Sequence, residues 1–428
     1  MTLTIFLGSL LLAMAIGIPI SFALLVSGVA LMWHLDMFDA QILAQNLLGG
    51  ADNYPLLAVP FFLLAGEIMN AGGLSRRIVE FAMALVGHIR GGLGYVTIIA
   101  SIMLSALSGS AVADAAALTT MLLPMMVAAG HAPHRAAGLI AGSGVIAPVL
   151  PPSIGLIIFG VTANVSISKL FMAGIVPGLL LGVALWITWA IVARKEGITP
   201  PARKSFREIL AALRRCGWAL MLPVIILVGL RMGVFTPTEA GVVAAVYALF
   251  VSTVIYRSLK LSQLYGIFKA AAKTTAVVMF LIAAAMVSSW LITVADLPGK
   301  VVSMLEPLLG SPIMLMVAIM VLVMIVGTAM DMTPTILILT PVLMPVVKAA
   351  GIDPVYFGVM FIMNNAIGLV TPPVGVVLNV VAGVGKMSMD TVTKGVMPFM
   401  LAQFIIMFLM VLFPWIVTGP AKFFHGGF

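Results

Sequence analysis

The stretch Leu122–Pro152, LLPMMVAAGHAPHRAAGLIAGSGVIAPVLPP, recurs in the second half of the chain as Leu343–Pro373, LMPVVKAAGIDPVYFGVMFIMNNAIGLVTPP. The two align without a gap at a constant offset of 221, and roughly ten of about thirty positions are identical. Pro124 pairs with Pro345, Ala128–Gly130 with Ala349–Gly351, Pro133 with Pro354, and the double proline Pro151-Pro152 with Pro372-Pro373. The register persists to Gly174 with Gly395 and Pro177 with Pro398, and Pro19 stands before its apolar run as Pro237 does before its own. Solenoid repeats have shorter periods. Two long apolar halves, each interrupted by Gly and Pro at matching places, point instead to a secondary transporter built from repeats.

The composition around this repeat requires a membrane. Of 428 residues 62% are hydrophobic and 8% charged, with a mean hydropathy of +1.23. A soluble chain of this length carries roughly three times that charge fraction. Apolar stretches of about twenty residues recur, as at Lys169–Val192, Thr274–Val294 and Val396–Val417, each sufficient for a hydrocarbon core of roughly 30 Å. The expected fold class is therefore an all-α polytopic membrane protein. The N-terminal apolar run lacks a basic flank and a small-residue cleavage site, so it is expected to be the first membrane helix. No hydrophilic stretch is long enough for a soluble domain, and recognition of solute in water is expected to fall to another chain.

The net charge of +8 does not imply nucleic acid, because the basic residues sit in short segments between apolar runs. Arg194, Lys195, Arg203, Lys204, Arg207, Arg214 and Arg215 crowd one segment; Arg257, Lys260, Lys269 and Lys273 crowd the next. Such segments mark the cytoplasmic face. The repeat core of the first half is flanked by Arg76, Arg77, Arg90 and Arg135, that of the second by Lys300 with Asp296, Glu306 and Asp353. The two flanks thus belong on opposite sides, and the repeats are expected to be inverted. Repeat 1 spans 1–193, with a re-entrant hairpin at about 94–129 and a broken helix at about 133–163. A basic cytoplasmic linker spans 194–217. Repeat 2 spans 218–428, with helices from Trp218, Thr238 and Thr274, a hairpin at about 312–349, a broken helix at about 354–384 and a last helix at Val396–Val417.

Each half carries two helix breaks. The hairpins turn at Ser105–Ser110 and Gly327–Pro334, and the crossings break at Ala147–Ser153 and Gly368–Pro373. Consecutive prolines remove amide donors and cannot sit inside a regular helix. Unwound backbone at membrane depth is tolerated only where protein buries it or it lines a cavity. Half-helix N-termini suit a carboxylate, while freed carbonyls with Ser and Thr hydroxyls suit a small hard cation such as Na⁺. Two related breaks predict two cation sites flanking one anion site. Runs of small residues also serve plain helix packing, but their recurrence beside prolines in both halves favours a site.

Ionisable residues in apolar runs are functional candidates by default. Asp331 at the second hairpin tip leads, and Asp114 follows the first tip. Glu67 is expected to be structural or interfacial, and Glu239 in Thr236-Pro237-Thr238-Glu239 to cap a helix start. Asn364 and Asn365 either bond across helices or face the cavity. His131 and His134, beside Arg135, are expected in a solvated loop, and His34, His88 and His425 are scattered. One cysteine, Cys216, excludes an internal disulfide and a Cys-based metal site. The 31 methionines do not cluster with Cys or His as a copper path requires, and no nucleotide-binding or metalloprotease motif is present. Neither a transition-metal site nor an enzyme is expected; an intramembrane enzyme needs a His, Arg and acid constellation that these sparse polar residues do not offer. A passive channel would lack alternating access.

These segments resemble the large membrane subunit of a tripartite ATP-independent periplasmic (TRAP) transporter, the DctM-like permease family. The resemblance covers essentially the whole chain. It rests on Pro60–Gly66 (PFFLLAG), Ser105–Ala113 (SALSGSAVA), Pro151–Ser153, Lys169–Gly174 (KLFMAG), Pro237–Gly241 (PTEAG), Leu339–Pro345 (LTPVLMP) and Thr371–Gly375 (TPPVG). The opening and the Gly66–Gly73 stretch are similar to the subtype associated with 2,3-diketo-L-gulonate, a sugar acid, although no substrate-reading motif is present. The resemblance implies a Na⁺-driven symporter of small organic acids with an elevator-type mechanism, in a bacterial inner membrane. It implies two partners: a small four-helix membrane subunit and a periplasmic solute-binding protein. By motif position, Ser108, Gly109 and Ser110 with Gly144 and Pro148 would form one Na⁺ site. Gly327, Thr328 and Asp331 with Gly368 and Thr371 would form the other, and Ser153 and Asn365 would touch substrate. A stand-alone Na⁺/dicarboxylate symporter is the alternative, separated by whether uptake needs a binding protein.

Overall fold

The computed structural model describes residues 2–194, 196 and 202–425, without the side chains of Leu3, Phe424 and His425. The described residues contain helices and no strands. The first half opens with α1 (Thr2–Ala15), α2 (Ile20–His34), α3 (Ala40–Ala51), α4 (Ala58–Ala71) and α5 (Leu74–Val86). A first hairpin follows from α6 (Gly92–Ser108) and α7 (Ala111–Ala128), then a broken crossing from α8 (Pro133–Gly144) and α9 (Ile154–Ala163), and α10 (Ile167–Ala193). The second half holds α11 (Phe206–Arg231), α12 (Pro237–Phe250), α13 (Leu261–Val294), α14 (Leu297–Met304) and the single turn α15 (Glu306–Leu309). Its hairpin is α16 (Pro312–Ala329) with α17 (Met332–Ala349), its broken crossing α18 (Pro354–Gly368) with α19 (Val376–Gly385), and α20 (Met389–Leu412) and α21 (Trp415–His425) complete the chain.

Nine helices among the described residues are long and apolar enough to cross a membrane. Their outward faces are apolar: Val183, Ile187 and Ile191 form an exposed stripe on α10, and Leu401 and Ile405 one on α20. In water such stripes would drive aggregation; in lipid they face their own solvent.

The inversion of the halves is visible along α20. The start of α8 lies against one end, where a Cβ on Gly395 would strike the carbonyl of His134. The start of α18 lies against the other, where the Tyr356 hydroxyl donates to the Met410 carbonyl at 3.0 Å. The two broken crossings therefore run in opposite directions beside the same helix. Partners are also exchanged between halves: α7 packs on α19, and α17 packs on α9. Similarly α4 packs on α12, while α13, which contains the positions 221 residues after α4, packs on α2. Some small-residue faces are closed by the other half, as Gly138 is by Gly395, Gly155 by Met332 and Gly358 by Phe159.

Two element starts differ from the sequence expectation. The basic segment is not a linker throughout: α11 begins at Phe206, twelve residues before Trp218, behind a capping box in which Ser205 and Glu208 exchange bonds. Two satisfied end groups, with the apolar Phe206, Ile209, Leu210 and Leu213 set among the charges, start the helix there. For the same reason α13 starts at Leu261 and not at Thr274, with the Lys260 amide donating to Gln263 at 2.9 Å. Of the basic linker, Lys195 and residues 197–201 lie outside the described residues.

Gly138 and Gly395 bring α8 and α20 into backbone contact. Gly395→Ala is expected to push these helices apart and destabilise the chain by about 1–3 kcal/mol, as overpacking does. Thermal unfolding of the purified protein checks this, and an unchanged melting temperature would contradict it.

Candidate functional site

The first hairpin turns because Gly109 adopts φ +60°, a left-handed conformation that ends α6 without a Cβ penalty. Ser110 then caps α7, its hydroxyl accepting from the Ala113 amide at 3.4 Å. The tip rests on the first break: a Cβ on Gly109 would lie 2.5 Å from the Pro152 carbonyl and 3.1 Å from Ser153 Cα. Inside the turn, Ser108 Oγ donates to Asp114 Oδ1 at 2.5 Å and accepts from the Ser110 amide at 3.2 Å. Asp114 is buried, and its second oxygen has no protein partner.

In the first crossing, the i−4 ladder of α8 gives way to i−3 bonds, from Val145 to Gly142, Ile146 to Ser143 and Ala147 to Gly144. The chain regains a helix at Ser153, whose hydroxyl accepts from the Leu156 amide at 3.2 Å and donates to the Pro148 carbonyl at 2.5 Å. The second crossing repeats the pattern, with Val370 bonding Ile367 and Thr371 bonding Gly368. Thr371 Oγ1 donates back to the Ile367 carbonyl at 2.8 Å.

The second hairpin is clamped to its own crossing. A Cβ on Gly368 would lie 2.9 Å from Gly327, so the two glycines allow backbone on backbone. Asn365 Nδ2 donates to the Met332 carbonyl at 3.2 Å, and the Gly375 amide to the Thr328 carbonyl at 3.5 Å. Asp331 is the N-cap of α17, and its side chain makes no capping bond to the amides further into the first turn. Asn364 and Asn365 each keep a buried carbonyl oxygen without a partner.

Two triads of helix ends result. The N-terminus of α7 meets the C-terminus of α8 and the N-terminus of α19, since a Cβ on Gly144 would lie 3.2 Å from the Ala111 carbonyl and 3.6 Å from Val377. The N-terminus of α17 meets the C-terminus of α18 and the N-terminus of α9, through Met332 with Asn365 and Met332 sulfur with Gly155. Each triad joins two N-terminal dipole ends to one set of C-terminal carbonyls.

The predicted residues divide accordingly. Ser108, Gly109 and Ser110 form one tip, resting on the break through Pro152 and Ser153, with Pro148 bonded to Ser153; Gly144 stands beside Ala111. Gly327, Thr328, Gly368 and Asn365 meet around the other tip, with Asp331 at its edge and Thr371 on the following turn. Ser153 is fully buried and both its bonds hold its own break together, so it acts here as a structural clasp. Sequence reasoning missed Gly155 and Val377, although Gly155 and Val376 stand at the repeat offset of 221, a signal that was available. Glu67, with Asn70 and Thr274, faces a cavity of about 260 Å³ that also reaches Ser108, Ser110 and Asp114. Glu239 forms the capping box with Thr236.

The solvated-loop expectation for His131 is wrong. His131 is buried, with Nδ1 2.6 Å from Glu196 Oε2, and Glu196 Oε1 also accepts from the Ala132 amide at 3.3 Å and Arg135 Nη1 at 3.4 Å. A partner 65 residues away, beyond a full crossing, leaves no local signal. No group of three or more His, Cys, Asp or Glu among the described residues is placed to hold a metal.

Residues 7–416 match the family described as the DctM component of the tripartite ATP-independent periplasmic transporter. This chain belongs to that family. The permease is 56% identical to the 2,3-diketo-L-gulonate TRAP transporter large permease protein YiaN of Escherichia coli over 422 residues, 99% of each chain. It is 41% identical to the sialic acid TRAP transporter large permease protein SiaM of Vibrio cholerae, covering 93% of each. With the C4-dicarboxylate TRAP transporter large permease protein DctM of Pseudomonas aeruginosa it shares 38% over 87% of each. Its fold is similar to that of the YdaH transporter of Alcanivorax borkumensis, with a TM-score of 0.66 at 15% identity over 90% of this chain and 91% of that one. The permease is a transport protein and not an enzyme.

Ser108→Ala would leave the buried Asp114 without its donor. It is expected to destabilise the permease by about 1–3 kcal/mol, read as a lowered melting temperature. A variant that melts like its parent would mean that this bond does not hold the tip.

Proposed function

We propose that this permease is the large subunit of a Na⁺-coupled symporter that imports a small organic acid, with a sugar acid of the diketogulonate kind as first candidate. The observation that carries the reading is the pair of helix-end triads, one under each hairpin. Each offers carbonyls and hydroxyls of the kind a hard cation needs, and N-terminal amides of the kind a carboxylate needs. One cation would sit by Ser108, Gly109, Ser110, Gly144 and Pro148, the other by Gly327, Thr328, Asp331, Gly368 and Thr371.

The Asp114 and Glu67 carboxylates on the 260 Å³ cavity deepen the first reading. Carboxyl oxygens on the chamber wall are ligands of the kind a hard cation takes and an organic anion does not. The anion then belongs nearer Asn365 and the N-terminus of α17. Hairpins and broken crossings would move together as an elevator against the remaining helices, with the basic end in the cytoplasm of a bacterial inner membrane. The names of the relatives supply the sugar-acid class. The family's tripartite organisation supplies the two partners, a small four-helix membrane subunit and a periplasmic binding protein.

Reconstituted uptake tests this. With the small subunit in proteoliposomes, accumulation of a sugar acid is expected to require both an inward Na⁺ gradient and the cognate binding protein. Uptake that needs Na⁺ alone would favour a stand-alone symporter. Asp331→Ala and Asp114→Asn should each insert normally and lower coupled uptake at least about tenfold, the scale of one lost charge-assisted contact. Full transport by either variant would remove that residue from the site.

A further inference from the structure

Away from the transport site, the basic end carries a cleft of about 440 Å³ between α5 and α11. Its walls are low because Ala84, Ala211 and Ala212 line it, and three basic side chains from separate places, Arg77, Lys204 and Arg215, share the same space. Two carboxylates also line it, but both are engaged. Glu80 pairs with Arg76 at 3.1 Å, and Glu208 accepts from the Ser205 amide and hydroxyl at 2.7 and 2.9 Å. Arg77 is held in place, its guanidinium 3.9 Å from the Tyr256 ring centroid, and its buried Nε has no hydrogen-bond partner. A pre-positioned guanidinium in a basic cleft suits a phosphate.

The depth of the cleft selects the source of that phosphate. α11 has 26 residues, about 39 Å of helix, against a hydrocarbon core of roughly 30 Å. The roughly 9 Å in excess is about six residues, so the first turn and a half, with Arg207, stands in the headgroup layer, and the long side chains of Arg214 and Arg215 extend back toward it. The cleft stripe Glu208, Ala211 and Arg215 continues to Trp218, which is exposed and of the type that settles at the interface. Exposed Leu85 on α5 and Met221 on α11 continue the surface into the apolar zone. A ligand with a phosphate at one end and acyl chains at the other matches both parts.

We propose that the cleft between α5 and α11 binds the headgroup of an anionic phospholipid, with Arg77, Lys204 and Arg215 as its phosphate contacts. The lipid would occupy the wedge where the basic linker re-enters the membrane at α11, and so tie that entry to α5. Basic pockets between helices on the positively charged side of a membrane protein bind such headgroups on this principle.

The test uses the full-length permease in nanodiscs of phosphatidylcholine doped with phosphatidylglycerol, with retained lipid read by native mass spectrometry after gentle extraction. The parent is expected to retain phosphatidylglycerol over phosphatidylcholine. Lys204→Ala with Arg215→Ala, both exposed, should reduce that preference at least about fivefold, while Lys269→Ala with Lys273→Ala should leave it. No preference in the parent would overturn the proposal, as would equal loss in both double variants, which would make the attraction a diffuse field. Displacement of the lipid by millimolar inorganic phosphate would overturn it too, because the site would then take a free anion. If the cleft is instead filled by protein, the parent will show no headgroup-dependent retention. Transport need not be measured, so this result stands apart from the symport reading.

Discussion

A peptide group left unwound inside a lipid bilayer has no water to bond, and every such group must find a protein partner or a ligand. The rest of this permease is arranged around that constraint. Pro151-Pro152 and Pro372-Pro373 interrupt two crossings, and Gly109 and Asp331 mark two hairpin tips. Each interruption is then covered by backbone from elsewhere. Gly109 rests on Pro152 and Ser153, and Gly327 on Gly368. Glycine is used at these places because any Cβ would hold the covering strand of backbone away. The inverted duplication follows naturally, since each half supplies helix ends that the other half closes.

Much of this was legible in the sequence because the breaks are made by residue types with rigid local consequences. Prolines at 151–152 and 372–373, with glycines at 109 and 368, set where helices stop, and the offset of 221 confirmed that the stops come in pairs. The halves could be oriented because charge stays outside the hydrocarbon: Arg76, Arg77 and Arg135 on one flank, Asp296, Glu306 and Asp353 on the other. The all-helical, inverted arrangement of hairpins and broken crossings was accordingly within reach.

What escaped was long-range or capped. The exchange that seats α19 beside α7, and α9 beside α17, depends on packing between segments at least 169 residues apart. Val377 and Gly155 therefore went unnoticed as neighbours of the helix ends. His131 was misplaced because its partner Glu196 lies beyond α10, and a buried contact of this kind writes nothing into local periodicity. The early starts of α11 and α13 were hidden by their charge, where the capping bonds of Ser205 with Glu208, and of the Lys260 amide with Gln263, decided the outcome. At Ser153, the motif position gave no sign that the hydroxyl also clasps its own break, through the Pro148 carbonyl and the Leu156 amide.

The account turns on the claim that the two triads of helix ends are cation sites. The most direct measurement is the melting temperature of the purified full-length permease in NaCl against KCl at equal ionic strength. A ligand that binds only the folded state adds about 2.7 kcal/mol of stability at a hundredfold excess over its Kd. The account predicts a clear rise in melting temperature with Na⁺, saturating as the sites fill. Superimposable curves in the two salts would contradict it, and would leave the triads as packing devices alone.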